Sequence, residues 1–267
     1  MPAMTKRPDV EQAMRSREYF HSLRFLPGAW VVLRVDGHGF SRLTESRYEK
    51  PFDLNFNSFM VQTAQTLLDR LGGLYAYTES DEISLLLPRD WALFDRELEK
   101  AVSLSAGLAS ATFSLASGVA AHFDSRAWLG AAARDVVDYF RWRQADATRC
   151  ALYGWCYWTL RKAGQSAAAA TAALKEQKAG FKNELLFQHG VNFNDVPAWQ
   201  RRGVGLYWEC YEKEGYNPKL DQKVTVQRRR IKADRELPMK EEYGRFIQRI
   251  MSGGGDGGTG SGTGQTG

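Results

Sequence analysis

Apolar positions in the first part of the chain form short β-branched runs and longer stretches with helical spacing. The run Val31–Val35 is typical of a strand. Apolar residues then recur at helical spacing over residues 56–71. Asp53 predicts the N-cap of that helix, and Gly72-Gly73 predicts its end.

A second group of elements follows. Two strands, 74–78 and 83–87, flank the acidic stretch Glu79–Glu82. A long helix over 91–117 and a strand over 122–128 complete the order β-α-β-β-α-β. This order is the split βαβ plan of ferredoxin-like and polymerase-palm domains. The predicted fold class is therefore α+β, with a palm-like catalytic domain.

The second half of the chain has a different character. Its predicted elements are one helix or two over 131–162, a helix over 166–176, an irregular stretch over 181–193, and strands over 204–211 and 223–230. Three regions are expected: a palm-like catalytic region (1–130), a helical and β extension that completes the active site and RNA binding (131–251), and a disordered Gly/Ser/Thr tail (252–267).

Composition narrows the class of protein. A chain of 267 residues with 43% hydrophobic residues can bury a sizeable core. It has neither an apolar run long enough for a membrane span nor an apolar secretory leader. Three cysteines without metal-type spacing favour a reduced, cytoplasmic location. The net charge of +5 is compatible with an RNA or nucleotide partner without requiring one.

The strongest chemical signal is a set of carboxylates. Asp36 ends the first predicted strand, and Asp81 with Glu82 lies at the tip of the predicted hairpin. Nucleotidyl transfer needs hard oxygen ligands that hold a pair of Mg²⁺ ions. The Gly37 carbonyl is a further candidate ligand. The alternative is that these are ordinary strand-end and turn residues.

Other polar stretches are weaker signals. The loop 37–41 could place amides around a triphosphate or be a plain turn. Residues 141–146 and 178–184 could hold phosphates or RNA, or they could form a solvated helix face with an Arg–Asp pair. The same ambiguity applies to the basic run 223–235.

Seven motifs together resemble the tRNA(His) guanylyltransferase superfamily, whose members extend RNA in the 3′-to-5′ direction. They occur in family order between residues 10 and 212. They are Arg34-Val-Asp-Gly-His-Gly-Phe40, Lys50-Pro51 with Asp53, Glu79-Ser-Asp-Glu82, Phe123-Asp-Ser-Arg126, Arg141-Trp-Arg-Gln-Ala-Asp146, Lys182-Asn-Glu-Leu-Leu-Phe187 and Val191-Asn-Phe-Asn194.

The resemblance implies a role for each matching position. Asp36 and Asp81 would ligate two Mg²⁺ ions with help from the Gly37 carbonyl, and Glu82 would support that site. Other positions matched to family residues implicated in activity are Lys50, Lys182, Glu184 and Asn192. The nucleotide would contact Asp36, Gly37, His38, Gly39, Phe40, Ser41, Ser80 and Asp81.

The chain departs from the eukaryotic pattern in two stretches, the first loop and residues 148–154, where only Leu152 and Tyr153 match. A histidine tied to tRNA(His) recognition is replaced by Thr148, and a histidine usual in the first loop is replaced by Ser41. The pattern therefore resembles the Thg1-like proteins of bacteria and archaea. It implies template-dependent repair of 5′-truncated tRNA after ATP activates the 5′ phosphate. GTP and other nucleoside triphosphates would be the added substrates.

Three alternatives stay open from the sequence: guanosine addition to tRNA(His), a palm-type nucleotidyl cyclase, and a non-catalytic RNA-binding protein. The resemblance also implies a homotetramer or dimer. The aromatic residues Trp155, Tyr157 and Trp158 are candidates for that interface or for the core.

Overall fold

The computed structural model describes residues 9–217 and 221–253 and places one six-stranded antiparallel sheet at its centre. The strands are β1 (Trp30–His38), β2 (Tyr75–Glu79), β3 (Glu82–Leu87), β4 (His122–Gly130), β5 (Val204–Asn217) and β6 (Gln222–Asp234). Their spatial order is β4-β1-β3-β2-β5-β6. The first four strands thus have the ferredoxin-like arrangement, which confirms the predicted α+β, palm-like class.

Helices cover both faces of this sheet. They are α1 (Val10–Arg15), α2 (Phe40–Arg47), α3 (Leu54–Arg70), α4 (Leu98–Ser117), α5 (Ala133–Lys162), α6 (Ala167–Leu174), α7 (Ala179–Gln188), α8 (Ala198–Arg202) and α9 (Lys240–Met251). Short 3₁₀ segments lie at Leu93–Arg96 and Phe193–Asp195. Within the described residues, every helix is too short or too polar to cross a membrane.

Side-chain alternation along β1 separates two hydrophobic cores. Val31, Leu33 and Val35 are buried in a core that also contains apolar residues of α3 and α4. Val32 faces the other way, into a core shared with α5 and α9. The polar end of β1 emerges between these two layers, so β1 places Asp36 at the rim of the core.

Local signals predicted several boundaries correctly. The Asp53 carboxylate accepts a hydrogen bond from the Phe56 amide at 2.8 Å and caps α3. The stretch predicted as one helix or two over 131–162 is one helix, α5, which begins at Ala133. Strands β5 and β6 extend beyond their predicted limits and lengthen the same sheet.

Two predicted elements are wrong in part. The helix expected from residue 91 begins at Leu98, because Phe94, Asp95 and Arg96 have positive φ angles that an α-helix cannot contain. The stretch 181–193, predicted to be irregular, includes most of α7. Leu186 is the single fully buried residue of α7, so the helix has too few buried apolar positions for its sequence to show a helical stripe.

The proposed division at residue 130 stays a prediction. Of the predicted tail, residues 254–267 lie outside the described part of the chain.

Candidate active site

Asp36 and Asp81 are brought together by a backbone hydrogen bond. The Gly37 amide donates to the Asp81 carbonyl at 3.0 Å, which joins the end of β1 to the β2–β3 turn. Ser80 has a φ of 51° in this turn, and its hydroxyl donates to the Asp81 carboxylate at 3.0 Å. Asp36 also lies opposite Glu82 in the β1–β3 register. The three predicted carboxylates therefore share one end of the sheet.

Negative charge is concentrated at this end. Burial raises the pKa of Asp81, and the neighbouring Asp36 charge raises it further, against the Ser80 hydrogen bond. Burial also raises the pKa of Glu79 to about 7, with further contributions from Glu82 and Asp81. Each of these carboxyls loses its proton less readily than in water, so a bound cation would relieve their repulsion.

Arg143 of α5 neutralises Glu82. Its Nε and Nη2 donate to the two carboxylate oxygens of Glu82 at 2.8 and 3.0 Å, while Nη1 donates to Asp146 at 3.3 Å. Trp142 lies 4.7 Å from the guanidinium carbon. The predicted Arg–Asp pair is present, but Arg143 is buried rather than solvated. Since all three of its nitrogens are engaged, Arg143 orients Glu82 and has little capacity left for a phosphate.

Asp124 and Arg126 were missing from the predicted site. Asp124 lies opposite Asp36 in the β1–β4 register. Arg126 donates to Asp124 at 2.9 Å and lies 3.9 Å from the Asp36 carboxylate. The motif 123–126 was the available signal, but the strand pairing that places it beside Asp36 is a long-range contact.

The predicted nucleotide loop turns from β1 into α2. A Cβ at Gly37 would lie 2.4 Å from the Phe40 ring, so glycine permits this turn. Phe40 itself is buried in the core, and Gly39, with φ at 74°, is the N-cap of α2. The α2 N-terminus presents free amide donors without a capping side chain, close to Ser41.

Lys50 lies across from this loop. Its ammonium donates to the Thr44 hydroxyl at 2.6 Å, and burial lowers its pKa, against the Glu45 and Asp81 charges. Lys50 and Ser41 line a cavity of about 250 Å³, which is also lined by Phe40, Thr44, Glu45, Ser80, Asp81 and Trp158. We call this space the loop cavity.

A second space opens on the α5 side of Asp81. It has a volume of about 310 Å³ and is lined by Asp36, Pro51, Phe52, Glu79, Ser80, Asp81, Glu82, Arg143, Asp146, Cys150, Ala151, Gly154 and Trp158. We call it the α5 cavity. The two cavities share Ser80, Asp81 and Trp158, so Asp81 lies between two adjoining chambers, while Asp36 and Glu82 line the α5 cavity.

Two family models match successive parts of this chain. Residues 11–131 match the model described as tRNA(His) guanylyltransferase, Thg1, and residues 134–245 match its C-terminal domain. The chain belongs to the tRNA(His) guanylyltransferase family.

Individual relatives support this family membership. A probable tRNA(His) guanylyltransferase of Drosophila melanogaster is 33% identical over 193 residues, which are 68% of each chain. A solved bacterial tRNA(His) guanylyltransferase (Thg1)-like protein in complex with GTP has a TM-score of 0.71 at 26% identity. The match covers 91% of this chain and 98% of that one. A structure with the same description in complex with ATP has a TM-score of 0.71, 24% identity and coverage of 91% and 99%. Family membership confirms the predicted nucleotidyltransferase class.

The remaining family-matched residues lie apart from both cavities. Lys182 is on α7, with its ammonium 5.4 Å from the centre of the Tyr153 ring. Glu184 is exposed and accepts a hydrogen bond from Gln188. Asn192 donates to Asp195 at 2.9 Å. The structure does not bring them to the two aspartates, so their roles in activity stay a prediction.

The basic run 223–235 lies mainly on the exposed strand β6. Part of its charge is matched internally, since Arg230 and Lys232 both pair with Glu209 of β5. Arg229 lies 4.6 Å from the Trp208 ring centre. This surface combines a solvated face with aromatic contacts, and its predicted binding of RNA backbone stays a prediction.

The donor chemistry around Asp36 and Asp81 fits Mg²⁺. Within residues 9–217 and 221–253, no three His, Cys, Asp or Glu side chains converge as a metal cage. Mg²⁺ is usually held by one or two carboxylates together with water and substrate phosphates, so such a cage is not needed. Asp36 and Asp81 would hold the ions, and the Gly37 carbonyl stays a predicted further ligand.

Proposed function

We propose that the protein is a Mg²⁺-dependent 3′-to-5′ nucleotidyltransferase acting on the 5′ end of tRNA. The supporting observation is the hydrogen bond between Gly37 and Asp81, which holds Asp36, in the α5 cavity, beside Asp81, which lines both cavities. Two chambers that meet at Asp81, one of the paired carboxylates, suit a reaction in which an RNA end and a nucleoside triphosphate must meet.

The reaction has two displacements at phosphorus. First, the 5′-monophosphate of the RNA attacks the α-phosphorus of ATP, and pyrophosphate leaves. Second, the 3′-hydroxyl of a nucleoside triphosphate attacks the activated 5′ phosphorus, AMP leaves, and the hydroxyl proton passes to solvent. Mg²⁺ held by Asp36 and Asp81 would neutralise the charge that develops on the phosphoryl oxygens.

The other residues bind and orient the substrates. Phe40 and Ser41, at the start of α2, line the loop cavity, and the amides of a helix N-terminus suit phosphate oxygens. Lys50 adds positive charge in the same cavity. Glu82, held by Arg143, presents a fixed negative charge beside Asp36. Catalysis would rest mainly on positioning and charge neutralisation.

The comparisons favour guanosine addition to tRNA(His) over repair, since the family model and the curated relative carry that name. We therefore propose guanosine addition as the principal activity. One observation favours repair as a second candidate. The Thr148 hydroxyl contacts the carbonyls of Gln144 and Arg201, at 3.0 and 2.8 Å, so it offers no free donor where the eukaryotic enzymes have histidine.

The deciding experiment uses two 5′-labelled tRNAs, a tRNA(His) lacking its extra guanosine and a tRNA lacking its first nucleotide. Each is incubated with ATP, Mg²⁺ and one nucleoside triphosphate at a time. Guanosine addition to tRNA(His) alone supports the principal proposal. Extension of the truncated tRNA only by the template-matched nucleotide supports repair. No product with either RNA refutes both and leaves a cyclase or an RNA-binding protein.

The carboxylate assignment has its own control. Asp36→Asn and Asp81→Asn should each lower kcat by at least about a hundredfold, because a neutral amide holds Mg²⁺ poorly. Urea unfolding of each variant should remain cooperative, which separates loss of chemistry from loss of fold. Full activity in either variant would refute the assignment.

A further inference from the structure

Trp158 is a residue that the proposed chemistry does not yet use, and it lines both cavities. It was a candidate for an interface or the core, but the structure places it half-buried on the cavity side of α5. Its ring centre lies 5.9 Å from the Lys50 ammonium. An aromatic side chain that lines a nucleotide-sized space can stack on a nucleobase.

The α5 wall leading to Trp158 has almost no side-chain bulk. Asp146, Cys150, Gly154 and Trp158 follow one another at four-residue spacing and line the α5 cavity. This row spans about 18 Å along the helix. Gly154 lies in the middle of it, and a Cβ there would have the Pro51 Cβ, at 4.0 Å, as its nearest neighbour. The wall is therefore a shallow trough that ends at an aromatic side chain.

The charge of the α5 cavity argues against a phosphate in this trough. The acidic residues that line it are Asp36, Glu79, Asp81, Glu82 and Asp146. Arg143 is the one cation among its lining residues, and its three guanidinium nitrogens are bound to Glu82 and Asp146. In the part of the cavity away from the metal ligands Asp36 and Asp81, these carboxylates would repel phosphate oxygens. A flat, neutral nucleobase meets no such repulsion and stacks on aromatic rings.

We propose that Trp158 is the stacking platform for a substrate nucleobase, which lies in the trough formed at Cys150, Ala151 and Gly154. This inference rests on the proposed function and adds a positioning residue to it. The nucleobase belongs either to the 5′ end of the RNA or to the nucleoside triphosphate, because both carry the same chemistry.

The first test compares Trp158→Phe with Trp158→Leu. Leucine lacks a ring, so it should raise the KM of one substrate by about ten- to a hundredfold, in line with the loss of one base–aromatic stack. The kcat of Trp158→Leu should stay within about threefold of wild type, because a stack that binds substrate and transition state equally affects KM rather than kcat. Phenylalanine keeps a ring and should restore most of the affinity. The substrate whose KM rises identifies the source of the base.

The second test fills the trough. Gly154→Leu would occupy the space above the small residues and should raise the same KM by at least about tenfold. Gly107→Leu is the matched control, since Gly107 is also inside a helix, α4, and a Cβ there meets nothing within 4 Å. Gly107→Leu should leave both KM values unchanged.

Binding measurements separate this inference from the proposed function. The Kd of GTP is measured by calorimetry, and that of a 3′-fluorescein-labelled, 5′-monophosphorylated tRNA by anisotropy, for wild type and the variants. Weaker binding of one ligand by Trp158→Leu and Gly154→Leu supports the stacking role even if wild type shows no turnover. Unchanged binding and KM in both variants would overturn it. A lower kcat alone, reproduced by Lys50→Met, would overturn it too, because Trp158 would then act through Lys50.

Discussion

Glu82 of β3 and Arg143 of α5 form a two-point ion pair, with donor–acceptor distances of 2.8 and 3.0 Å and little solvent exposure on either side chain. They are 61 residues apart in sequence. The pair joins the sheet to the long helix at the point where the carboxylates gather. The pair should therefore affect the free energy of unfolding as well as the position of Glu82 beside Asp36.

Arg143→Ala should lower the free energy of unfolding by about 3 kcal/mol, because it leaves the buried Glu82 with only the more distant Arg34, at 3.9 Å, as a cationic partner. Urea unfolding measures this change. Arg149→Ala, on the same helix, removes a guanidinium that is 70% exposed and should cost less than about 1 kcal/mol. Equal losses for the two variants would contradict a special role for the buried pair.

Gly37→Ala should destabilise the protein by about 1–3 kcal/mol, since its Cβ would overlap the buried Phe40 ring. The displaced loop should also lose activity. Gly107→Ala is the control, because its Cβ meets open space within a helix and should stabilise by about 0.5–1 kcal/mol. Thermal and urea unfolding should show a lower free energy of unfolding for Gly37→Ala and a higher one for Gly107→Ala. Activity should fall only in Gly37→Ala.

The metal-free protein should become less stable as pH rises from about 5 to 7.5. The pKa of Glu79 is raised from 4.5 to about 7 by burial, followed by the charges of Glu82 and Asp81. Between those two values the folded protein binds more protons than the unfolded chain, so unfolding becomes easier with rising pH. Urea unfolding at a series of pH values measures the slope.

Glu79→Gln is the control for this slope. An amide does not titrate, so the dependence of stability on pH should become flatter while the fold is kept. A slope that is the same in wild type and Glu79→Gln would assign the effect to other groups.

Mg²⁺ should raise the free energy of unfolding, because the carboxylate pair exists only in the folded protein. At a hundred times its Kd the ion should contribute about 2.7 kcal/mol. Asp36→Asn and Asp81→Asn should lose most of this increment, and a chelator should remove both the increment and the activity of wild type. An equal increment in the variants would place the ion elsewhere.

Cys156 should resist alkylation while the protein is folded. Burial raises the pKa of its thiol to about 11, so little thiolate is present at pH 8. Cys150 and Cys210 are exposed and should react first with iodoacetamide, with the order read by peptide mass spectrometry. In urea all three should react. Early labelling of Cys156 in the native protein would indicate that helix α5 opens.

Much of the palm could be predicted because its signals are local. The Asp53 cap, the short apolar strands and the acidic turn at 79–82 each act within a few residues, and they predicted the order of elements. The start of α4 was missed because the residues before it have positive φ angles although none of them is glycine, so the sequence does not mark the break. Helix α7 was missed because it buries too little apolar surface to show a period.

The sequence by itself determined the family, the palm-like order of elements, and Asp36 and Asp81 as candidate metal ligands, since these depend on residue types at short spacing. Only the tertiary structure decided that Arg143 binds Glu82, that Asp124 lies opposite Asp36, and that Trp158 lines the cavities. The reason is physical. Strand register and helix packing join residues dozens of positions apart, and those contacts depend on how whole faces bury their apolar surface rather than on any local pattern.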